Sequence, residues 1–300
     1  MSEINMGEIR AGFIAIVGEP NAGKSTLLNL LLESKVAIVT PKPQTTRQRI
    51  TGILNTPNAQ LVFVDSPGVL TSDTGVNAFL KEEYQDVIRN SDALIVLLGA
   101  DQKLEKLEDL LKIGEASKKP WQAFVSKYDL NKHDPISWMN LLQKYKQEFI
   151  TISAREHAAE ARRSVLDTMT PLLPLSPSRL YPEELYTTQS VREMCAEIIR
   201  EKCFQNLHQE IPYGLAVRIE KYDEEKTHHI GANIVVEKDS HKGIVIGKGG
   251  LMLKKIGTES RLEIQTLVDA KVFLELHVSV KENWTYNKQL MRELGYVIKE

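Results

Sequence analysis

Gly18-Glu19-Pro20-Asn21-Ala22-Gly23-Lys24-Ser25 is the stretch from which the rest of this chain is read, because it fits G-x-x-x-x-G-K-[ST]. A β-rich apolar run, Phe13–Val17, precedes it, and a helical stretch, Lys24–Leu32, follows. That is the context the motif requires. Glycines let backbone amides close around a β-phosphate, and the helix N-terminus adds partial positive charge. In this arrangement Lys24 reaches the β/γ-phosphates, the Ser25 hydroxyl ligates Mg²⁺, and Thr26 closes the cradle.

On either side of this loop, short apolar runs alternate with helical stretches. The runs are Phe13–Val17, Gln60–Val64, Ala93–Leu98, Gln122–Val125 and Phe149–Ile152. The stretches are Lys24–Leu32, Ala78–Asn90, Leu104–Ser117, Pro135–Tyr145 and Ala158–Thr170. This spacing predicts an α/β domain, a mostly parallel six-stranded sheet with helices on both faces. Strand-like residues around Ala37–Val39 and Thr51–Leu54 leave room for a mixed edge.

Three further segments fall where such a sheet would deliver them. Asp65-Ser66-Pro67-Gly68 ends an apolar run about forty residues after the loop. It is a D-x-x-G arrangement in which Asp65 holds Mg²⁺ through water and the Gly68 amide senses a γ-phosphate. Between the two lies Pro43-Gln-Thr45-Thr46-Arg47, where a threonine can complete the Mg²⁺ shell and order the loop. Thr46 is favoured, with Thr45 as the fallback. Ser126-Lys127-Tyr128-Asp129 follows Gln122–Val125 and approximates N-K-x-D, in which the aspartate accepts N1–H and N2–H of guanine and the lysine stem packs on the base. Ser126 replaces the asparagine, which costs the base pocket about 1 kcal/mol, one hydrogen bond. Ser153 and Ala154 would offer a backbone amide to guanine O6.

Many GTPases place a water-orienting glutamine just after D-x-x-G, and here that place is Val69. A bound cation, the backbone or a partner must supply that function. Asn21 is a candidate ligand for a monovalent cation such as K⁺, with a purely bracing role as the even alternative.

The texture then changes. Pro171, Pro174, Pro177 and Pro182 fall within twelve residues, which reads as an extended linker. After it come a helix over Thr188–Leu207, strands over Gly214–Tyr222 and His228–Glu237, and a basic, glycine-rich segment, His241–Gly250. A helix over Leu251–Thr266, a strand over Lys271–Val280 and a short helix over Tyr286–Leu294 follow. Ile244, Ile246, Gly247-Lys248-Gly249-Gly250 and the following amphipathic helix, with Lys254, form the KH pattern, whose GXXG loop clamps a nucleic-acid backbone. Their α-β-β-α-α-β order is that of a type II KH domain. Lys238–Lys255 holds five lysines against one acid, a local positive patch hidden by the net charge of −2. His228, His229 and His241 read as surface or RNA-side residues.

Composition sets the outer limits. Three hundred residues, 42% apolar and 26% charged, suit two modest folded domains and exclude a disordered, collagen-like or disulfide-built chain. Cys195 and Cys203 fall two helical turns apart, roughly 12 Å at about 1.5 Å per residue, beyond disulfide reach, and read as half-buried thiols of a reducing compartment. Met1 to Arg10 has no apolar h-region, which argues against a signal peptide, and no apolar run approaches membrane-spanning length.

The segments G-E-P-N-A-G-K-S-T-L-L-N, P-K-P-Q-T-T-R-Q-R-I-T-G-I, F-V-D-S-P-G and I-G-K-G-G-x-x-L-K-x-I-G, closing with V-S-V-K-x-x-W at Trp284, resemble the bacterial Era family of GTPases. The resemblance covers nearly the whole chain. It implies a GTPase domain over 1–173, a proline-rich linker over 174–186 and a KH domain with a C-terminal helix over 187–300. It implies GTP or GDP with Mg²⁺ as ligands, Lys24, Thr46 and Gly68 in catalysis, and binding of the 3′ end of 16S ribosomal RNA. It further implies a monomer in the cytoplasm that assists 30S subunit assembly, with peripheral contact at the inner membrane. In this picture the linker carries coupling between nucleotide and RNA. Departures are Ser126 for asparagine, Glu19 for arginine and Ser66 for threonine. The competing reading is a nucleotide-gated RNA-binding scaffold with little hydrolysis, supported by Ser126 and Val69.

Overall fold

The computed structural model describes residues 9–40, 42, 45–47, 49–68, 75–208 and 210–296. The described chain divides into two compact units, one built from residues within 9–37, 46–68 and 80–188, the other from residues 189–296 with parts of 38–45 and 75–79.

The first unit runs β1 (Ile9–Gly18), α1 (Lys24–Leu32), β2 (Ile50–Thr56), β3 (Ala59–Asp65), α2 (Gly75–Arg89, whose first turn groups with the other unit), β4 (Ala93–Gly99), α3 (Leu104–Ala116), β5 (Trp121–Ser126), α4 (Pro135–Lys144), β6 (Ile150–Ile152), α5 (Ala158–Met169) and β7 (Leu175–Ser176). Strand order is β2-β3-β1-β4-β5-β6, and the two-residue β7 pairs with β1 as a seventh strand. Among the described strand pairs of this sheet, β2–β3 and β1–β7 are antiparallel and the others parallel.

Alternation along β1 explains the layers. Ile14 and Ile16 join Leu28, Leu31, Phe63, Phe124 and Val165 on one face, while Ala15 and Val17 join Val96, Leu107, Leu111, Trp138 and Leu142 on the other. Both faces are covered, so β4 is buried along its whole length and reads in sequence as an unbroken apolar run. β1 has parallel neighbours on both sides, reached by connections running opposite ways. The crevice at the carboxyl ends of β1 and β3 is therefore the topological switch point where such sheets bind ligands.

Ala37–Val39 is not a strand, contrary to expectation. Its peptide groups are satisfied by side chains instead. Asn29 Oδ1 accepts from the amides of Val36 and Ala37 at 2.9 Å each, and the Val39 amide donates to Glu201 Oε1 at 2.9 Å. Thr51–Leu54 does become the antiparallel edge, within β2. Much of the proline-rich stretch is bound along the first unit. Gln60 Oε1 accepts from the Leu180 and Tyr181 amides at 2.6 and 2.9 Å, and Ile53 N–H donates to Tyr186 O at 2.9 Å.

The second unit runs α6 (Val191–Asn206), β8 (Ala216–Asp223), β9 (Thr227–Val236), α7 (Asp239–Ile246), α8 (Leu251–Val268), β10 (Lys271–Val280) and α9 (Lys288–Glu293). The sheet order is β10-β9-β8, with β9 parallel to β10 and antiparallel to β8. Cys195, Ile199 and Cys203 of α6, at i, i+4 and i+8, pack with Ile230, Ile234, Val245, Ile256 and Ile264. Both thiols are fully buried rather than half-buried, and burial pushes each up to about 12. Trp284 is likewise enclosed and donates Nε1–H to Gly214 O at 3.0 Å. His241 also departs from its surface reading. It lies in the first turn of α7, on the side packed inward, with its side chain buried and Nε2 3.7 Å from Glu210.

Candidate functional site

In the first unit the loop between β1 and α1 wraps the switch point. Gly23, at φ 97°, turns the chain so that α1 starts at Lys24 with its first amides facing the crevice, and Asn21 takes φ 63° to close the curve. Lys24 is buried, and its ammonium donates to the carbonyls of Gly18 and Glu19 at 3.1 Å each. The loop thus folds around its own cation. Burial pushes the Lys24 ammonium below its ordinary value, opposed by Asp65 and then Glu19.

Register places Asp65 beside Ile16, level with the loop's first residues. Three oxygen-bearing side chains from distant parts of the chain converge there. Ser25 Oγ donates to Asp65 Oδ2 at 2.6 Å, lies 2.9 Å from Thr46 Oγ1, and Thr46 donates to the same carboxylate oxygen at 3.4 Å. Asp65 Oδ1 is buried with no hydrogen-bond partner among the described residues. Burial raises the Asp65 carboxyl, offset first by Lys24 and then by the two hydroxyls. A hard, oxygen-only donor set with an orphaned carboxylate oxygen is what a magnesium ion fits, and its charge would reverse the burial penalty. Thr45 points elsewhere, donating to Lys42 O at 2.7 Å and meeting Thr40 Oγ1 at 2.7 Å.

Ser66 Oγ donates to Ile16 O at 2.8 Å, which locks the β3 end to β1. Gly68 is buried with its Cα face against Pro20: a Cβ there would come within 2.9 Å of the Pro20 ring and nitrogen. Pro67 is buried beside it. Val69 lies outside the described residues.

The base-side group comes from the ends of β5 and β6. Ser126 is buried at the last position of β5, paired with Gly99 on one side and Ile152 on the other. Lys127 takes φ 56°, and its ammonium pairs with Asp101 Oδ2 at 3.1 Å. That left-handed residue turns the chain out, so Asp129 stands exposed on the following short turn. Ser153 and Ala154 are half-buried at the β6 end, where Ser153 Oγ accepts from the Glu156 amide at 3.2 Å.

In the second unit, α7 and α8 meet at Gly247–Gly250. Gly247, Gly249 and Gly250 have φ 72°, 60° and 77°. Gly247 has no room for a side chain, since a Cβ would fall 2.7 Å from Met252 Cβ. Gly249 and Gly250 instead face open space, with nothing within 4 Å of a Cβ. The loop is therefore a bare backbone surface at the N-terminus of an eighteen-residue helix, ready to approach phosphates. Lys248 and Lys254 are exposed around it, Ile246 is half-buried, and Ile244 is 49% exposed beside the loop.

Sequence reading missed what α6 holds. Arg200, only 2% exposed, pairs with Glu197 and donates to Thr45 O. Lys42 donates to the carbonyls of Phe204 and Leu207. In sequence, Arg200 and Glu201 look like an ordinary solvated pair on an amphipathic helix. Nothing in their spacing reveals that Thr45 meets Arg200 and Val39 meets Glu201.

Residues 13–127 match the family model described as 50S ribosome-binding GTPase, and 210–285 match that of the KH domain. The chain is 38% identical to GTPase Era of Geobacter metallireducens over 296 residues, covering 96% of this chain and 98% of that one. It is 41% identical to GTPase Era of Nitratidesulfovibrio vulgaris over 302 residues, covering 96% and 97%. Among solved structures it resembles a single-residue variant of Aquifex aeolicus Era bound to GDP·AlF4⁻, at TM-score 0.89 and 30% identity, covering 97% of this chain and all of that one. The same figures describe its likeness to Era in complex with MgGDPNP and nucleotides 1506–1542 of 16S ribosomal RNA.

Proposed function

The chain belongs to the GTPase Era family, and on that footing we propose a nucleotide-controlled binder of the 3′ end of 16S ribosomal RNA that assists 30S subunit assembly. It is a GTPase, converting GTP to GDP and phosphate. The observation that carries the proposal is the presence in one chain of two preformed sites: the Ser25–Thr46–Asp65 oxygen cluster in the first unit and the bare Gly247–Gly250 loop in the second.

At the first site, Ser25, Thr46 and Asp65 would hold the magnesium ion, which supplies positive charge against the phosphate oxygens. The loop amides of residues 18–26 cradle the β-phosphate. Lys24 leaves its carbonyl partners for the β/γ oxygens, and the Gly68 amide reads the γ-phosphate. Asp129 accepts from the guanine N1–H and N2–H, with the Ala154 amide on O6. Asn21 as a potassium ligand is part of this reading, and GTP turnover in KCl against NaCl tests it.

At the second site, the loop glycines bring backbone close to RNA phosphates. Lys248 and Lys254 add charge, and Ile244 and Ile246 offer apolar contact to unstacked bases. Peripheral contact with the inner membrane face would have to be made by the protein surface, because no helix among the described residues is long and apolar enough to cross a bilayer.

The test is binding of RNA nucleotides 1506–1542 to the GDPNP form, with GTP turnover measured with and without that RNA. Gly249→Asp is expected to abolish RNA binding while basal turnover persists. Retained binding would refute the loop assignment. Absence of turnover under every condition would favour a nucleotide-gated scaffold.

A further inference from the structure

We propose that Ser126 is a positioning residue that ties the phosphate loop to the base-side strand and leaves the imidazole edge of guanine unread, so that recognition of the 2-amino group rests on Asp129. This inference rests on the nucleotide site described above.

A serine hydroxyl has a single hydrogen to donate. Ser126 Oγ donates to Ala22 O at 2.6 Å, with Leu98 O as a second, weaker acceptor at 3.3 Å. Both acceptors are backbone carbonyls inside the fold, Ala22 is fully buried, and Ser126 itself is 7% exposed. The short side chain is therefore turned inward, and its hydrogen is committed. Guanine N7 is an acceptor only, and Ser126 has nothing left to donate to it. An asparagine carries two amide hydrogens and reaches one atom further, so it could serve loop and base together.

The inward bond has its own consequence. Ala22 belongs to the phosphate loop, 104 positions from Ser126 in sequence. Gln102 Nε2 likewise donates to Pro20 O at 3.2 Å. Two carbonyls of the loop are thus held from the base side, which keeps the intervening amides aimed at the phosphates. Lys127 is pinned by Asp101 and Asp129 is exposed, so the group left to read the N1–H and N2–H edge is the Asp129 carboxylate.

The experiment is titration of the nucleotide-free full chain with GDP, 7-deaza-GDP and IDP. GDP and 7-deaza-GDP are expected to bind within about twofold of each other, and IDP, which lacks the 2-amino group, at least about tenfold more weakly. Ser126→Ala should weaken GDP and 7-deaza-GDP by the same factor, about five- to tenfold, and leave the GDP:IDP ratio unchanged. Asp129→Asn should erase that ratio. A preference for GDP over 7-deaza-GDP beyond twofold in the native chain would overturn the proposal, and this comparison needs no variant to fold. Unequal losses in Ser126→Ala, or no loss, would overturn it as well. A GDP:IDP ratio that survives Asp129→Asn would overturn the base-site reading and the proposal with it. A 7-deaza preference alongside a normal Asp129→Asn response overturns the proposal alone.

Discussion

Thr45 and Thr46 are adjacent, chemically identical and indistinguishable by motif, yet their hydroxyls have different partners. Thr46 joins Ser25 and Asp65, while Thr45 joins Thr40 and the Lys42 carbonyl. The two hydroxyls point to different partners, so only Thr46 faces the carboxylate. Thr46→Ala is expected to raise the magnesium concentration needed for GDPNP binding about tenfold, the scale of losing one supporting group at a metal site. Thr45→Ala should leave that requirement unchanged. Nucleotide binding followed through a magnesium titration checks both.

The glycines around the RNA-side loop make a second residue-scale contrast. Gly247 combines φ 72° with a 2.7 Å clash for any Cβ, so Gly247→Ala should destabilise the second unit by about 1–3 kcal/mol and reduce RNA binding. Gly243 lies inside α7, exposed, with nothing within 4 Å of a Cβ. Gly243→Ala should therefore stabilise by about 0.5–1 kcal/mol, since alanine has less backbone freedom to lose in a helix. Urea unfolding of the two variants should shift in opposite directions.

At the scale of elements, helix ends decide boundaries that periodicity leaves loose. The periodic pattern predicts a helix from Thr188, but the helix begins at Val191 because Ser190 forms a reciprocal cap with Glu193: the Glu193 amide donates to Ser190 Oγ at 3.3 Å, and the Ser190 amide donates to Glu193 Oε2 at 2.7 Å. Asp134 also caps α4, accepting from the Ser137 amide at 2.9 Å, with Pro135 in the first turn. Ser190→Ala and Asp134→Ala should each cost about 1 kcal/mol in denaturant unfolding. Cores, in contrast, were readable in advance. The alternation in β1 and the unbroken apolar run of β4 announce a sheet covered on both faces. The apolar character of Ala37–Val39 misleads, because Asn29 and Glu201 supply side-chain partners that no local pattern encodes.

For the whole molecule, two units with separate cores should respond separately to ligands. GDP with magnesium at a hundred times its dissociation constant is expected to stabilise the first unit by about 2.7 kcal/mol. Calorimetry should show the transition of the first unit moving upward with nucleotide. A single transition, shifted as one, would mean that the units unfold cooperatively.

Residues whose chemistry depends on local chain geometry were legible from the order of amino acids alone. The phosphate loop and the D-x-x-G turn are set by glycines just past a strand end, and the GXXG loop by glycines between two helices, each within about ten residues, so short-range spacing suffices to read them. The folded chain was needed to decide which threonine meets Asp65, that Ser126 bonds to a loop carbonyl 104 positions away, and that Arg200 is buried and donates to the Thr45 carbonyl. Each of these is a choice of partner across long sequence separation, made by strand register and by the need to satisfy buried polar groups, and no local pattern carries that information.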